Sequence, residues 1–321
     1  MILVPEHAQR ARLGLLVFVL GFGFVLVAPV GLFVVPLAAL LLTSPDRSPG
    51  LVLASSFCGG IGLWWLWTIG DPGDQFVRAA CVVGTASFLL LTRTTRLSVI
   101  HRALLAIGAA AVGSIGAVAL LGHSWPEIVW WTERRAAIAQ AYVMQFWLAS
   151  QGGSAQFFGG DEAAMQMEGM IRSMPTLLTN LFPALLAIQM LAGFGLSTFL
   201  IARMRVRVPG VPIGEFTRFR FTEHLGWLVV GALIVALLAN STTLRVPAVN
   251  ILLLASVLYA YRGAAIVSFA WQRRKRASRL LAFMAVVAFF LLWRITIPAI
   301  MVLGLVDTGL DLRKRMHSSS E

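Results

Sequence analysis

Two arginines set inside apolar runs are the residues of this chain best placed to do chemistry. Arg262 lies in YAYRGAAIVSF and Arg294 in LLWRITIP. An ionisable side chain inside a membrane span costs roughly 2.5–3.5 kcal/mol on insertion scales, so each needs a partner or a task. At about 1.5 Å per residue, Arg262 falls roughly 16 Å before the basic stretch at Arg273 and Arg294 roughly 22 Å after Arg279, near mid-membrane on consecutive antiparallel helices. No Asp or Glu occupies the centre of a span, and Asp307 falls only at the end of the last one. The chemistry on offer is anion recognition, because a guanidinium can clamp a carboxylate or phosphate through two parallel hydrogen bonds. The expected ligand site is a cavity lined by Arg262 and Arg294, with Asn250 and Gln189 as polar neighbours and a small anionic solute as its occupant. In the competing reading both arginines are structural pins. They would be neutralised by carbonyls freed near Pro247 or Pro298 and by Gln189, Asn240 or Asn250, or would snorkel outward.

Other chemistries find little footing. An intramembrane serine protease needs a histidine base within reach of its nucleophile. Ser114 sits in VGSIG, but His101 and His224 lie at span edges, and His7, His123 and His317 lie in loops or tails. No G-x-x-x-x-G-K-[ST] phosphate cradle is present. Cys58 and Cys81 occur in consecutive apolar segments without a C-x-x-C or a His/Cys cluster of metal spacing, and read as small packing residues. The sequence therefore predicts no enzyme, no metal and no cofactor.

The elements that must position the arginines follow from composition. Of 321 residues, 58% are hydrophobic and only 12% charged, half the share usual in a soluble domain. Runs long enough to span a bilayer cover Leu13–Leu42, Leu51–Ile69, Gln75–Thr92, Ala103–Gly122, Thr176–Ala202, Leu225–Leu244, Val246–Trp271 and Leu280–Val306. The first contains Pro29, Gly31 and Pro36, and is either one tilted helix or two short ones meeting near Pro29. It also continues far past any A-x-A-like site, so it reads as an uncleaved span and not a signal peptide. The expected fold is all-α, a polytopic transmembrane bundle of eight or nine spans in one membrane domain, residues 1–321. Small residues spaced as Ala109-x-x-x-Gly113 and Gly113-x-x-x-Ala117 let helices of that bundle approach closely.

The net charge of +12 comes from 26 basic residues, 24 of them arginine, gathered between the spans. That is a topological pattern, with no nucleic-acid partner implied. Arg93, Arg96 and Arg102 in one loop, Arg203 to Arg220 in a second and Arg273–Arg279 in a third assign those loops to the cytoplasmic side. Asp71, Asp74, the stretch 123–172 and a short turn near Arg245 then face outward. Splitting the first run puts Arg10 and Arg12 inside and favours nine spans. Arg313, Lys314 and Arg315 then fall outside against the rule, so charge does not fix the side of the C-terminus. The stretch 123–172 reads as an outward interfacial helical hairpin. Trp125, Trp130, Trp131 and Trp147 suit the interface, Ile138, Tyr142, Phe146 and Ala149 form an apolar stripe, and a second short helix from Asp161 ends before Pro175.

LGLVDTGLDLRKR, Leu303 to Arg315, and the preceding NILLLASVLYAYRGAAIVSF resemble the closing signature of the YybS-like family of bacterial membrane proteins. Gly304, Asp307, Asp311 and Arg313 match the terminal motif and Gly263 the glycine of the preceding span, while Arg262 stands where a glutamine-like residue is expected. Asp311 is also spaced to pair locally with Arg315. The resemblance implies a fold similar to the substrate-binding components of energy-coupling-factor transporters, which take a small molecule from outside and dock on a separate ATPase. A small-solute-binding transport component of the bacterial inner membrane, in contact with lipids and a separate ATPase or other membrane subunit, is the expected function. The alternative is a non-transporting scaffold that recruits partners through its basic loops.

Overall fold

The computed structural model describes residues 29–44, 48–95, 97–154, 161–203, 221, 224–273 and 292–310. Among these residues there are nine helices and no strand: α1 (Gly31–Leu42), α2 (Pro49–Trp67), α3 (Pro72–Thr94), α4 (Val99–Leu120), α5 (Trp125–Ser154), α6 (Asp161–Arg203), α7 (His224–Leu238), α8 (Thr242–Arg273) and α9 (Trp293–Leu310). Five have a segment long and apolar enough to cross a bilayer: Pro49–Trp67, Pro72–Thr94, Val99–Leu120, Glu168–Ala202 and Thr242–Phe269. Gly31–Leu42, Leu225–Leu238 and Ile295–Leu310 are shorter apolar helices. The all-α expectation holds. The chain divides into two compact units, Met1–Phe182 with Leu186–Ile213, and Pro183–Leu185 with Gly214–Glu321.

Local chemistry sets the helix ends in the first unit. Ser48 accepts from the Leu51 N–H and Asp71 from the Asp74 N–H, in each case with a proline as the first helical residue. Pro at that position wastes no hydrogen bond, since its missing N–H would lack an intrahelical acceptor anyway. Gly122, at φ +84°, ends α4 in the left-handed conformation that a side chain resists, and the His123 N–H turns back to the Val118 carbonyl. The described part of the first apolar run begins as a helix only at Gly31, just past Pro29, with Leu13 to Ala28 outside the described residues.

The core of this unit is a seam along α3. Phe76, Ala80, Gly84, Phe88 and Thr92 recur every fourth residue on its buried face. Against it, α4 turns Ala103, Ala106, Ala110 and Ser114, residues small enough to bring the two backbones near, while Gly113 abuts Val83. Phe88 stacks on Phe194 of α6, with ring centroids 4.7 Å apart and planes 4° from parallel. Cys81 is buried as expected and donates to the Gly31 carbonyl at 3.4 Å, whereas Cys58 is only half-buried. Elsewhere α2 leaves Leu53, Phe57, Leu63, Trp64 and Trp67 exposed, as suits a helix facing lipid.

At the α2–α3 turn a polar clasp holds α5. Arg135 reaches both Asp71 and Asp74 at 2.5 Å, and Arg78 donates to the carbonyl and hydroxyl of Thr68. The hydrogen bond to Asp74 holds the Arg135 guanidinium above its ordinary pKa. Farther along α5 the stripe of Ile138, Tyr142 and Phe146 is exposed.

Two boundaries differ from the sequence reading. The helix expected to stop before Pro175 runs unbroken from Asp161 to Arg203 through both Pro175 and Pro183. The span expected over Leu225–Leu244 ends at Leu238, so the turn lies at Ala239–Ser241 and Arg245 belongs to the first turn of α8. Asn240 and Ser241 have side chains that compete with the helical ladder, and the Ser241 carbonyl accepts the first bond of α8 from Arg245. At 15 residues α7 is roughly 22 Å long, short of a hydrocarbon core about 30 Å thick.

These contacts differ in worth. A Cβ on Gly193 would land on the Leu32 carbonyl oxygen, well inside the 3.0 Å that real Cβ atoms respect, while one on Gly195 meets nothing within 4 Å. Gly193→Ala is expected to lose about 1–3 kcal/mol by overpacking. Gly195→Ala should lose nothing, and the partly exposed Arg135 clasp is worth at most about 1 kcal/mol to Arg135→Gln. Thermal unfolding of the three variants in one detergent checks this order, and equal losses for Gly193→Ala and Gly195→Ala would refute it.

Candidate functional site

Within the second unit α8 and α9 lie backbone to backbone. A Cβ on Gly263 would fall on the carbonyl oxygen of Ile300, and one on Gly304 on that of Tyr259. Both clashes are with main chain, which cannot rotate away, so this spacing requires glycine at both positions. The two contacts fix an antiparallel register in which residue numbers of facing positions sum to about the same value. Tyr259 and Gly263 are one turn apart on α8, and Ile300 and Gly304 one turn apart on α9.

That register brings the buried charge to a partner. Arg262 Nε donates to Asp307 Oδ2 at 2.9 Å, and Nη2 donates to the Asp307 main-chain carbonyl at 3.1 Å. The side chains are 6% and 0% exposed. Phe221 covers the pair, with its ring centroid 5.1 Å from the guanidinium carbon, and meets the Tyr259 ring edge-on at 5.1 Å. Arg262 Nη1 has no hydrogen-bond partner among the described residues. The guanidinium thus spends two of its donors, and its charge, inside the protein. Asp307 is the residue that sequence reasoning missed as a partner, because it was placed at a span end, away from mid-membrane Arg262. The readable signal was a glycine close to each charge, Gly263 next to Arg262 and Gly304 three residues before Asp307.

The other expected site residues are placed as follows. Arg294 lies in the first turn of α9, and its side chain is outside the described residues. Thirteen residues separate it from Asp307, roughly 20 Å of helix. The α8–α9 register sets it level with Phe269, near the Arg273 end of α8. Along the seam the backbone of Arg294 is thus well separated from that of Arg262. Asn250 is engaged elsewhere: its Oδ1 accepts from the Ala184 N–H at 2.9 Å and its Nδ2 donates to the Val246 carbonyl at 2.9 Å. Ala184 follows Pro183, where α6 lacks a main-chain donor, and Asn250 takes up the N–H of this next residue. Gln189 is half-buried on α6, in the first unit. Gly263, Gly304 and Asp307 share the α8–α9 seam, while Asp311, Arg313, the Asp311–Arg315 spacing and most of the Arg273–Arg279 stretch fall outside the described residues. No group of three or more His, Cys, Asp or Glu able to hold a metal occurs among the described residues.

Apolar helices, five of them of spanning length, a charge pair sealed between α8 and α9 and glycines that let backbones touch define a multi-pass α-helical membrane protein. The chain belongs to the family described as Predicted membrane protein (DUF2232), whose model matches residues 13–308. No curated protein and no solved structure matches the chain.

Breaking a buried pair by removing one partner costs about 3–5 kcal/mol, because the survivor remains buried and uncompensated, whereas apolar replacement of both is often neutral. Asp307→Asn is therefore expected to lower stability by an amount of that order, and Arg262→Met combined with Asp307→Leu to recover most of it. Chemical unfolding in detergent of the single and double variants measures the coupling. A double variant no more stable than Asp307→Asn would show that the two side chains do not compensate each other.

Proposed function

We propose that the protein is a small-solute-binding component of a membrane transport system, akin to the substrate-binding components of energy-coupling-factor transporters. In this reading it sits in the bacterial cytoplasmic membrane with its basic loops inward and α5 braced on the outer interface. It catalyses no reaction and draws energy from a separate subunit. The observation that supports it is the α8–α9 seam. Gly263, Gly304 and Asp307, the residues on which the YybS-like resemblance rests, are far apart in sequence yet meet at one contact, which two buried charges hold together. A charge pair retained inside apolar helices is expensive, and in membrane proteins such groups mark moving parts or solute paths. Here the pair fastens α8 to α9, and the solute is held by other groups, since Arg262 is already spent on Asp307.

One observation favours a second reading. Internal compensation of Arg262 is what a packed, non-transporting scaffold also requires, with partners recruited by the basic loops.

Native mass spectrometry of the protein from mild detergent separates the two. A transport component is expected to retain a stoichiometric small molecule or to co-purify with an ATPase subunit. A scaffold would carry lipid and protein partners lacking any ATPase, and that result would retire the transport reading.

A further inference from the structure

A second arginine is buried, and it has no counterpart to Asp307. Arg102, in the first turn of α4, is 2% exposed, yet its Nε and Nη2 have no hydrogen-bond partner among the described residues. No ion pair to it occurs among the described residues either. Burying a guanidinium without a counter-charge is among the most destabilising arrangements a protein can hold, so the site is incomplete as it stands.

Its surroundings say what would complete it. Helical side chains lean toward the N-terminus of their helix, which carries the Arg102 guanidinium back toward the α3–α4 loop. The N–H groups of Val99, Ile100 and His101 open α4 without an intrahelical acceptor. The Ser98 side chain makes no cap to them, and its Oγ lies 2.6 Å from His101 Nδ1 instead. Arg93, in the last turn of α3, is exposed at the same loop. Unmet backbone donors, the positive end of a 22-residue helix and a buried fork of unmet guanidinium donors all ask for one anion with several oxygens. The position is where a spanning helix meets the headgroup layer, and there the abundant anion of that form is a phosphoryl group.

We propose that Arg102 and the first turn of α4 form a binding site for a phosphoryl group, supplied by the headgroup of an anionic phospholipid. This goes beyond the transport reading and does not depend on it: the lipid would fasten the α3–α4 hairpin in the membrane whatever the protein carries.

The test uses the full chain in mild detergent with three probes: phosphatidylglycerol, phosphatidylcholine and inorganic phosphate at constant ionic strength. Retention is read by native mass spectrometry and binding by the shift of the unfolding midpoint. Wild-type protein is expected to keep one phosphatidylglycerol in preference to phosphatidylcholine. Arg102→Gln should raise the half-saturating concentration at least about tenfold, the loss of one charge-assisted donor set. Arg172→Gln, an exposed residue paired with Glu168, should leave it unchanged. If Arg102→Gln does not fold, Arg102→Lys carries the test, since it keeps the charge and loses the fork. Stabilisation by inorganic phosphate that competes with phosphatidylglycerol would support the same site with free phosphate as its source. Equal retention of the two lipids, or phosphatidylglycerol binding untouched by either Arg102 substitution, with no response to phosphate, would overturn the proposal.

Discussion

A hydrocarbon interior offers no water to a charge, and the Arg262–Asp307 pair is where this protein meets that constraint most directly. Neither group could remain ionised there alone at reasonable cost. Their partnership in turn demands that two helices come close enough for a short carboxylate to reach a guanidinium. That demand is met by the neighbouring glycines: Gly263, beside Arg262, and Gly304, a turn before Asp307, remove the side chains that would otherwise hold α8 and α9 apart. The order of dependence runs from the charges to the glycines to the register. Hydropathy makes the long helices span, but the polar pair and its glycines specify how α8 and α9 must align.

The first unit solves the same packing problem without charge. Its α3–α4 seam is built from alanine, serine and glycine on one side and phenylalanine on the other, so close approach is bought by small residues and the remaining gaps are filled by rings, as in the Phe88–Phe194 stack. Ion pairs appear at its edge, where Arg135 bridges Asp71 and Asp74 with partial access to solvent. There the charges orient α5 on the α2–α3 turn and contribute little to stability.

The apolar runs and the membrane class were legible in the sequence, because each depends on composition within a short window. The end of α7 was not. Arg245 looked like the turn, yet Asn240 and Ser241 interrupt the helix, and hydropathy gives those residues too little weight against the leucines around them. Pro175 misled in the other direction: α6 runs through it as it runs through Pro183, whose neighbour Ala184 gives its N–H to Asn250, a contact that a linear reading does not reach. The site was half legible. Arg262 announced itself by its charge in an apolar run, Gly304 and Asp307 by the terminal motif, and Gly263 by its match in the preceding span. What joined them was an antiparallel register of α8 and α9, which a linear reading does not supply.

The hydrogen bond at Ala184 also has a consequence in time. Asn250 is made 66 residues after the N–H it satisfies, and Asp307 is made 45 residues after Arg262. A chain emerging from the ribosome therefore presents the Ala184 N–H without Asn250, and later Arg262 without Asp307, before either partner exists. Early helices must enter the bilayer on the strength of their own apolar residues and wait there. Assembly of the second unit is thus ordered by synthesis, and its last step is the arrival of α9, which closes a vacancy left by a helix already in place.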